Sequence, residues 1–252
     1  MIKCSIAIPA RIASSRLPGK MLKKLGGKPV IQHVIERALQ VRNCSQVYVV
    51  TDCVEIVGLA QSLGIQGLMT SPSCHSGTDR IVSVLKEISG DWIFNVQGDE
   101  PFIDPQWVEQ LIEQTSTTES EMLTGIYRLK QIEDVLNPNI VKAILDNSGN
   151  AIYFSRSPIP FVRGVANEFW LKESTFWGHL GIYGYRRDLL EHYNQLKSSY
   201  LEKAESLEQL RFIANGYKIA TFEAPGRSVA IDTQEDLDKA EALISGRRPA
   251  ER

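Results

Sequence analysis

The N-terminal third of the chain alternates short apolar runs with amphipathic stripes, and this restricts the fold more than any other feature. Residues 3–9 and 47–51 are continuous apolar runs of strand length, and 67–70 is a shorter one. Runs of this kind suit strands buried on both faces. Between them, Val30, Ile31, Val34, Ile35, Ala38 and Leu39 fall on one helical stripe behind Pro29, and residues 56–63 read as a second helix. The order strand, helix, strand, helix, strand predicts right-handed crossovers and a parallel sheet. A further run, 92–96, breaks into Gln97-Gly98-Asp99-Glu100-Pro101 ahead of a helix over 105–113. Ligands of open α/β sheets bind at the carboxyl ends of the strands, so Asp99 is expected at the mouth of a cleft. A carboxylate there suits Mg²⁺, which takes one or two protein carboxylates plus substrate phosphates. A turn with Asp capping the next helix is the alternative.

At 252 residues the chain fits one large α/β domain, with room for an inserted subdomain between 156 and 200. A net charge of −2 offers no general attraction to nucleic acid or anionic membrane, so any bound anion needs locally placed Arg and Lys. No apolar run is long enough to span a bilayer, and residues 1–6 enter a strand without the layout of a signal peptide. Cys4, Cys44, Cys53 and Cys74 form no Cys-x-x-Cys pair and no zinc spacing with His. They are expected to be reduced, mostly buried thiols of a cytoplasmic protein.

The loop after the first strand, 9–20, carries Arg11, Arg16 and Lys20 among two serines and Gly19. It has neither G-x-G-x-x-G nor the P-loop signature. Three cations there can wrap a triphosphate, Lys20 acting as a compact point charge; a solvated basic loop is the alternative. Ser76-Gly77-Thr78-Asp79-Arg80 opens a helix with a core stripe at Ile81, Val82, Val84, Leu85 and Ile88. Ser76 or Thr78 can cap it, and Gly77 permits a base or phosphate to approach free amides. Strands are predicted at 122–129, 141–145, 151–154, 179–186 and 218–222, with a hairpin turn at 146–150. Helices are predicted at 187–195, 200–215 and 234–244. The polar stretch up to Thr175 reads as a mobile loop, and 245–252 should fray.

Taken in order, these segments resemble one family. They are Pro9-Ala-Arg-x-x-Ser-x-Arg-Leu-Pro-Gly-Lys20, Ser76-Gly-Thr-Asp-Arg80, Asn95-Val-Gln-Gly-Asp-Glu-Pro101, Tyr153-Phe-Ser-Arg156, His179-Leu-Gly-Ile-Tyr-Gly-Tyr-Arg186, Leu207-Glu-Gln-Leu-Arg211 and Asp232-Thr233. The set is similar to the 3-deoxy-manno-octulosonate (Kdo) cytidylyltransferases, or CMP-Kdo synthetases. That resemblance implies a nucleotidyltransferase-type, Rossmann-like α/β fold. A mostly parallel sheet would be flanked by helices, with a smaller sugar-binding and dimerisation subdomain near 156–200. It implies a cytoplasmic homodimer that uses Mg²⁺ and transfers CMP from CTP to the sugar's anomeric hydroxyl, for lipopolysaccharide-type glycan synthesis.

Carried over by position, Ala10, Arg11, Arg16, Lys20, Ser76, Gly77, Arg80, Gln97 and Asp99 match nucleotide-binding positions. Asp99 and Asp232 match the metal-binding aspartates, and Lys20, Arg16, Asp99 and Asp232 would carry the chemistry. Arg156, His179, Tyr183, Glu208 and Gln209 fall in segments similar to the sugar pocket. Departures are Ala230 two residues before Asp232, where the family commonly has Gly, His75 where it often has Gln, and Trp177-Gly178 ahead of His179. They leave open an 8-amino analogue or another sugar acid. A nine-carbon sialic-type substrate is disfavoured by His179-Leu-Gly-Ile-Tyr and Leu207-Glu-Gln-Leu. A non-catalytic nucleotide sensor is disfavoured by Lys20, Asp99 and Asp232 together.

Overall fold

The apolar runs at the N-terminus become strands that are buried almost throughout. In the computed structural model, which describes residues 2–245, β1 (Cys4–Ala10) is buried at every position. The predicted fraying of 246–252 lies outside the described residues. A short hairpin, β2 (Lys24–Leu25) and β3 (Lys28–Pro29), leads into α1 (Val30–Ala38), which buries Val30, Ile31, Val34, Ile35 and Ala38. Then come β4 (Gln46–Thr51), α2 (Val54–Ser62), β5 (Gln66–Met69), α3 (Gly77–Ser83), β6 (Trp92–Asn95) and α4 (Pro105–Gln114). The strands pair in the order β6-β1-β4-β5, all parallel, with Ile6 opposite Phe94 and Ile8 opposite Val49. Ile6, Ile8, Val49, Val50, Ile93 and Phe94 are completely buried. Each such side chain contributes roughly 1.5–3 kcal/mol.

Glu113–Arg227 form a second compact unit, the first comprising Met1–Ile112 and Ser228–Arg252. The second unit holds β7 (Met122–Arg128), α5 (Ile132–Leu136), β8 (Lys142–Leu145), β9 (Ala151–Ser155), α6 (Trp170–Glu173) and β10 (Trp177–Arg186). It continues with α7 (Arg187–Glu191), α8 (Tyr200–Glu205), α9 (Gln209–Ala214) and β11 (Ile219–Ala224). Here β11 runs parallel to β7, while β7–β10, β10–β8 and β8–β9 are antiparallel. Gly178 in β10 is required by packing: a Cβ there would stand 2.5 Å from the Tyr127 ring. The chain then returns to the first unit with α10 (Gln234–Ile244), whose Leu237 and Ala240 pack with Leu17, Leu25, Val30 and Ile231.

Several predicted elements are corrected. The helix expected over 200–215 is two helices, because Ser206 adopts a left-handed conformation (φ 52°) that ends α8. The segment expected as a mobile loop up to Thr175 carries a 3₁₀ turn, Asn167–Phe169, and then α6. Buried Trp170 anchors it by stacking on Phe176, with ring centroids 5.8 Å apart. Helix 187–195 stops at Glu191 and gives way to a 3₁₀ turn, Tyr193–Gln195. β10 begins at Trp177, two residues before the predicted start. Of the four cysteines, all free thiols, Cys4 and Cys53 are buried, whereas Cys44 and Cys74 are only partly so.

Candidate active site

The loops that leave the carboxyl ends of β1, β5 and β6 line a cleft of about 310 Å³ in the first unit. Gly98 makes the Asp99 turn fit there, since a Cβ at Gly98 would stand 2.9 Å from the Pro9 carbonyl oxygen. Gly19, with φ 66°, turns the cationic loop into the 3₁₀ turn Lys20–Leu22, which buries Lys20. Asp232 arrives from the other end of the sequence. The Ile231 amide donates to the Asp99 carbonyl at 2.8 Å. A capping box between Thr233 and Asp236 then starts α10 directly after Asp232. Ala230 is exposed and hinders none of this.

These local choices converge on Lys20. Its ammonium donates to Asp99 Oδ2 at 2.5 Å and to Asp232 Oδ1 at 3.0 Å, and Arg16 Nη2 reaches Asp232 Oδ1 at 2.9 Å. Burial works against the Lys20 charge, but the two carboxylates outweigh it and hold the ammonium above its ordinary pKa. Next to them, burial and then the Asp99 charge push the Glu100 carboxyl up to about 7. Glu100 Oε2 has no hydrogen-bond partner among the described residues.

Arg11, Arg16, Lys20, Ser76, Gly77, Arg80, Gln97, Asp99 and Asp232 all line this cleft. Ala10, the remaining predicted nucleotide position, is buried at the end of β1. Ser76 caps α3, its hydroxyl accepting from the Asp79 amide at 3.0 Å, so the capping and cleft-lining roles coincide. Gln97 Nε2 donates to Asn95 Oδ1 at 2.8 Å. Arg80 lines the cleft but is buried, with its guanidinium already engaged: Nη1 bonds Thr70 Oγ1, and Nη2 bonds Asp52 Oδ2 at 3.1 Å. Sequence reasoning missed Asp52 and Glu100, although both follow strands as Asp99 does.

The predicted sugar residues all lie in the second unit. Three of them gather. The His179 ring lies 5.4 Å from that of Tyr183, and the Tyr183 hydroxyl donates to Gln209 Oε1 at 3.3 Å. Gln209 is buried, and its Nε2 lacks a partner among the described residues. Burial against neighbours such as Phe154, 4.8 Å away ring to ring, pushes the His179 imidazole down to about 3 and keeps it neutral. Its Nε2 lies 3.0 Å from Thr124 Oγ1. Glu208 is held by Tyr193, whose hydroxyl donates to Oε1 at 2.7 Å. Arg156 is held by Glu205: its amide donates to Oε2 at 2.9 Å and its Nε to the Glu205 carbonyl at 2.8 Å. Thr124, Tyr193 and Glu205 carried no motif signal, because their partners are distant in sequence.

Among the described residues no three or more His, Cys, Asp or Glu side chains form a metal cage. The donor pair that fits a divalent ion is Asp99 with Asp232. The two carboxylates already converge on one positive charge, and a hard-oxygen pair suits Mg²⁺ when phosphates complete the shell.

A family model described as cytidylyltransferase matches residues 6–219. The 3-deoxy-manno-octulosonate cytidylyltransferase of Geotalea daltonii is 43% identical over 247 residues, covering 94% of this chain and 96% of that protein. The enzyme of the same name from Escherichia coli is 42% identical over 245 residues, covering 97% of each. A solved structure of CMP:2-keto-3-deoxy-manno-octonic acid synthetase complexed with CTP superposes with a TM-score of 0.90 at 41% identity. It spans 97% of this chain and 99% of that one. The chain belongs to the 3-deoxy-manno-octulosonate cytidylyltransferase family.

Proposed function

We propose that this chain transfers CMP from CTP to the anomeric hydroxyl of 3-deoxy-manno-octulosonate, releasing pyrophosphate, as a step toward lipopolysaccharide-type glycans. The observation that carries the reading is the convergence of Lys20, Arg16, Asp99 and Asp232 in one cleft at the carboxyl ends of a parallel sheet. In the reaction the sugar hydroxyl attacks the α-phosphorus, the bond to the β-phosphate oxygen breaks, and the hydroxyl proton passes to solvent. Such a transfer depends on alignment and charge stabilisation more than on covalent chemistry.

Each residue has work within that scheme. Arg11, exposed at the rim, and Arg16 draw the triphosphate into the cleft. Lys20, kept protonated by its carboxylate partners, supplies fixed positive charge beside the α-phosphate and the leaving group. Asp99 and Asp232 would hold Mg²⁺. When bound, the ion neutralises phosphate charge and lowers the pKa of a coordinated hydroxyl. Ser76, Gly77 and Gln97 form the base side. In the second unit, neutral His179, Tyr183 and the open amide of Gln209 offer hydrogen bonds to a polyhydroxy acid, with Arg156 and Glu208 as further contacts. The sugar side so proposed combines residues of the 156–200 segment with Glu208 and Gln209 beyond it.

Homodimerisation is part of the proposal. It is supported by large aromatic side chains left exposed in the second unit, Phe161 at 74% and Tyr200 at 79%. A cytoplasmic setting is supported by four free thiols. Among the described residues no helix is long and apolar enough to cross a membrane.

The test is pyrophosphate release from CTP and Mg²⁺ with a panel of three acids: Kdo, its 8-amino analogue and a sialic acid. Release with Kdo above the others is the expected result. Preference for the 8-amino analogue or the sialic acid would reassign the substrate, and silence across the panel with CTP still bound would favour a nucleotide sensor.

A further inference from the structure

Asp52 lies just past β4, between the loops that follow β1 and β5, and its carboxylate holds both. Oδ1 accepts from the Ile12 amide at 2.9 Å, at the start of the cationic loop. Oδ2 accepts from Arg80 Nη2 at 3.1 Å, and Arg80 Nη1 bonds the Oγ1 of Thr70, the first residue past β5 on the way to the Ser76–Gly77 turn. The ion pair is shielded from water, with side-chain exposures of 3% for Arg80 and 4% for Asp52. Taking two charges out of water is costly, and a buried pair of this kind is better suited to fixing register than to adding stability. Here the register is the distance between the two walls of the nucleotide cleft, both of which line it through Arg11 and Arg80.

From this geometry we infer that Asp52 is a positioning residue for the nucleotide: it sets the spacing between the triphosphate loop and the base-side loop. The inference rests on the reading of the cleft as a CTP site. A nucleoside triphosphate spans both walls, whereas inorganic tripolyphosphate engages the cationic loop alone. Loss of the tether therefore weakens the first ligand far more than the second. Asp52 stands behind the residues that line the cleft and is not one of them, so the effect is one of misplacement, and small misplacements of binding groups are costly.

The experiment is calorimetric titration of the full-length protein with CTP and, separately, with tripolyphosphate. Wild type is compared with Asp52→Asn, which removes the counter-charge of Arg80, and with Asp52→Glu, which keeps it and changes only the reach. Expected are losses in CTP affinity of about tenfold for both variants, with tripolyphosphate affinity changed less than about twofold. Should Asp52→Asn not fold, Asp52→Glu carries the test alone. CTP affinity in a folded variant within about twofold of wild type would overturn the inference, and so would equal losses for both ligands. A wild type that binds no CTP would instead remove the nucleotide reading, and this inference with it.

Discussion

The two residue clusters handle charge in opposite ways. In the first unit, Lys20 and Arg16 meet Asp99 and Asp232 as ions, and Arg80 meets Asp52 as a buried pair. In the second unit, the gathered groups are neutral: an uncharged His179, the Tyr183 hydroxyl and the Gln209 amide, packed among aromatic rings. The contrast matches the two substrates proposed. A triphosphate needs fixed charge and a metal, while a polyhydroxy acid is selected by directed hydrogen bonds, whose absence leaves buried polar atoms unpaired.

Five substitutions bear on this contrast. The largest effect belongs to the carboxylates. Asp99→Asn or Asp232→Asn should lower turnover on the order of a hundredfold with the fold retained, read by steady-state kinetics beside a thermal melt. Near-normal turnover in both would remove the metal assignment. Next, Gln209→Ala should raise the sugar KM about tenfold and leave the KM for CTP unchanged, because it removes a hydrogen bond in the second cluster only. A matching rise in the KM for CTP would contradict the division of labour.

His179 provides a pH test. Its ordinary pKa of 6.5 falls to about 3 in the folded protein, so between those values the unfolded chain binds the extra proton. Stability from this group is complete above 6.5 and is lost as pH falls toward 3. On going from about pH 7.5 to about pH 5, wild type should lose about 1–2 kcal/mol more than His179→Gln in denaturant titrations. An equal loss would mean that the imidazole is not held neutral. The smallest effect concerns the start of α10: Thr233→Ala should cost about 1 kcal/mol of stability by removing the helix cap behind Asp232. A change below about 0.3 kcal/mol would show that packing of Leu237 and Ala240 alone fixes that helix.

Sequence order made one cluster far more legible than the other. Asp99 stands in the turn that follows β6 and Lys20 closes the loop that follows β1, and an α/β sheet presents such loops at one end, so topology predicts their meeting. Asp232 entered through resemblance, and its position depends on the Ile231 amide reaching the Asp99 carbonyl. Asp52 was hidden because a single aspartate after a strand has no motif until Arg80 and Ile12 are folded against it. In the second unit the contacts are made by neutral side chains far apart in sequence. Tyr193 meets Glu208 across a helix break at Ser206 that propensity did not reveal, since a serine can be driven into the left-handed region by tertiary context. The order around Trp170 was missed for the same reason: its polar flanks masked one aromatic anchor.

The most direct test of the account is the product itself, followed by ³¹P NMR while CTP, Kdo and Mg²⁺ are turned over by the wild-type chain. The expected product is a phosphodiester that joins CMP to the anomeric carbon, formed one for one with pyrophosphate. Pyrophosphate accompanied by free CMP from the outset, with no sugar-linked phosphorus, would contradict it and make the cleft a hydrolase site.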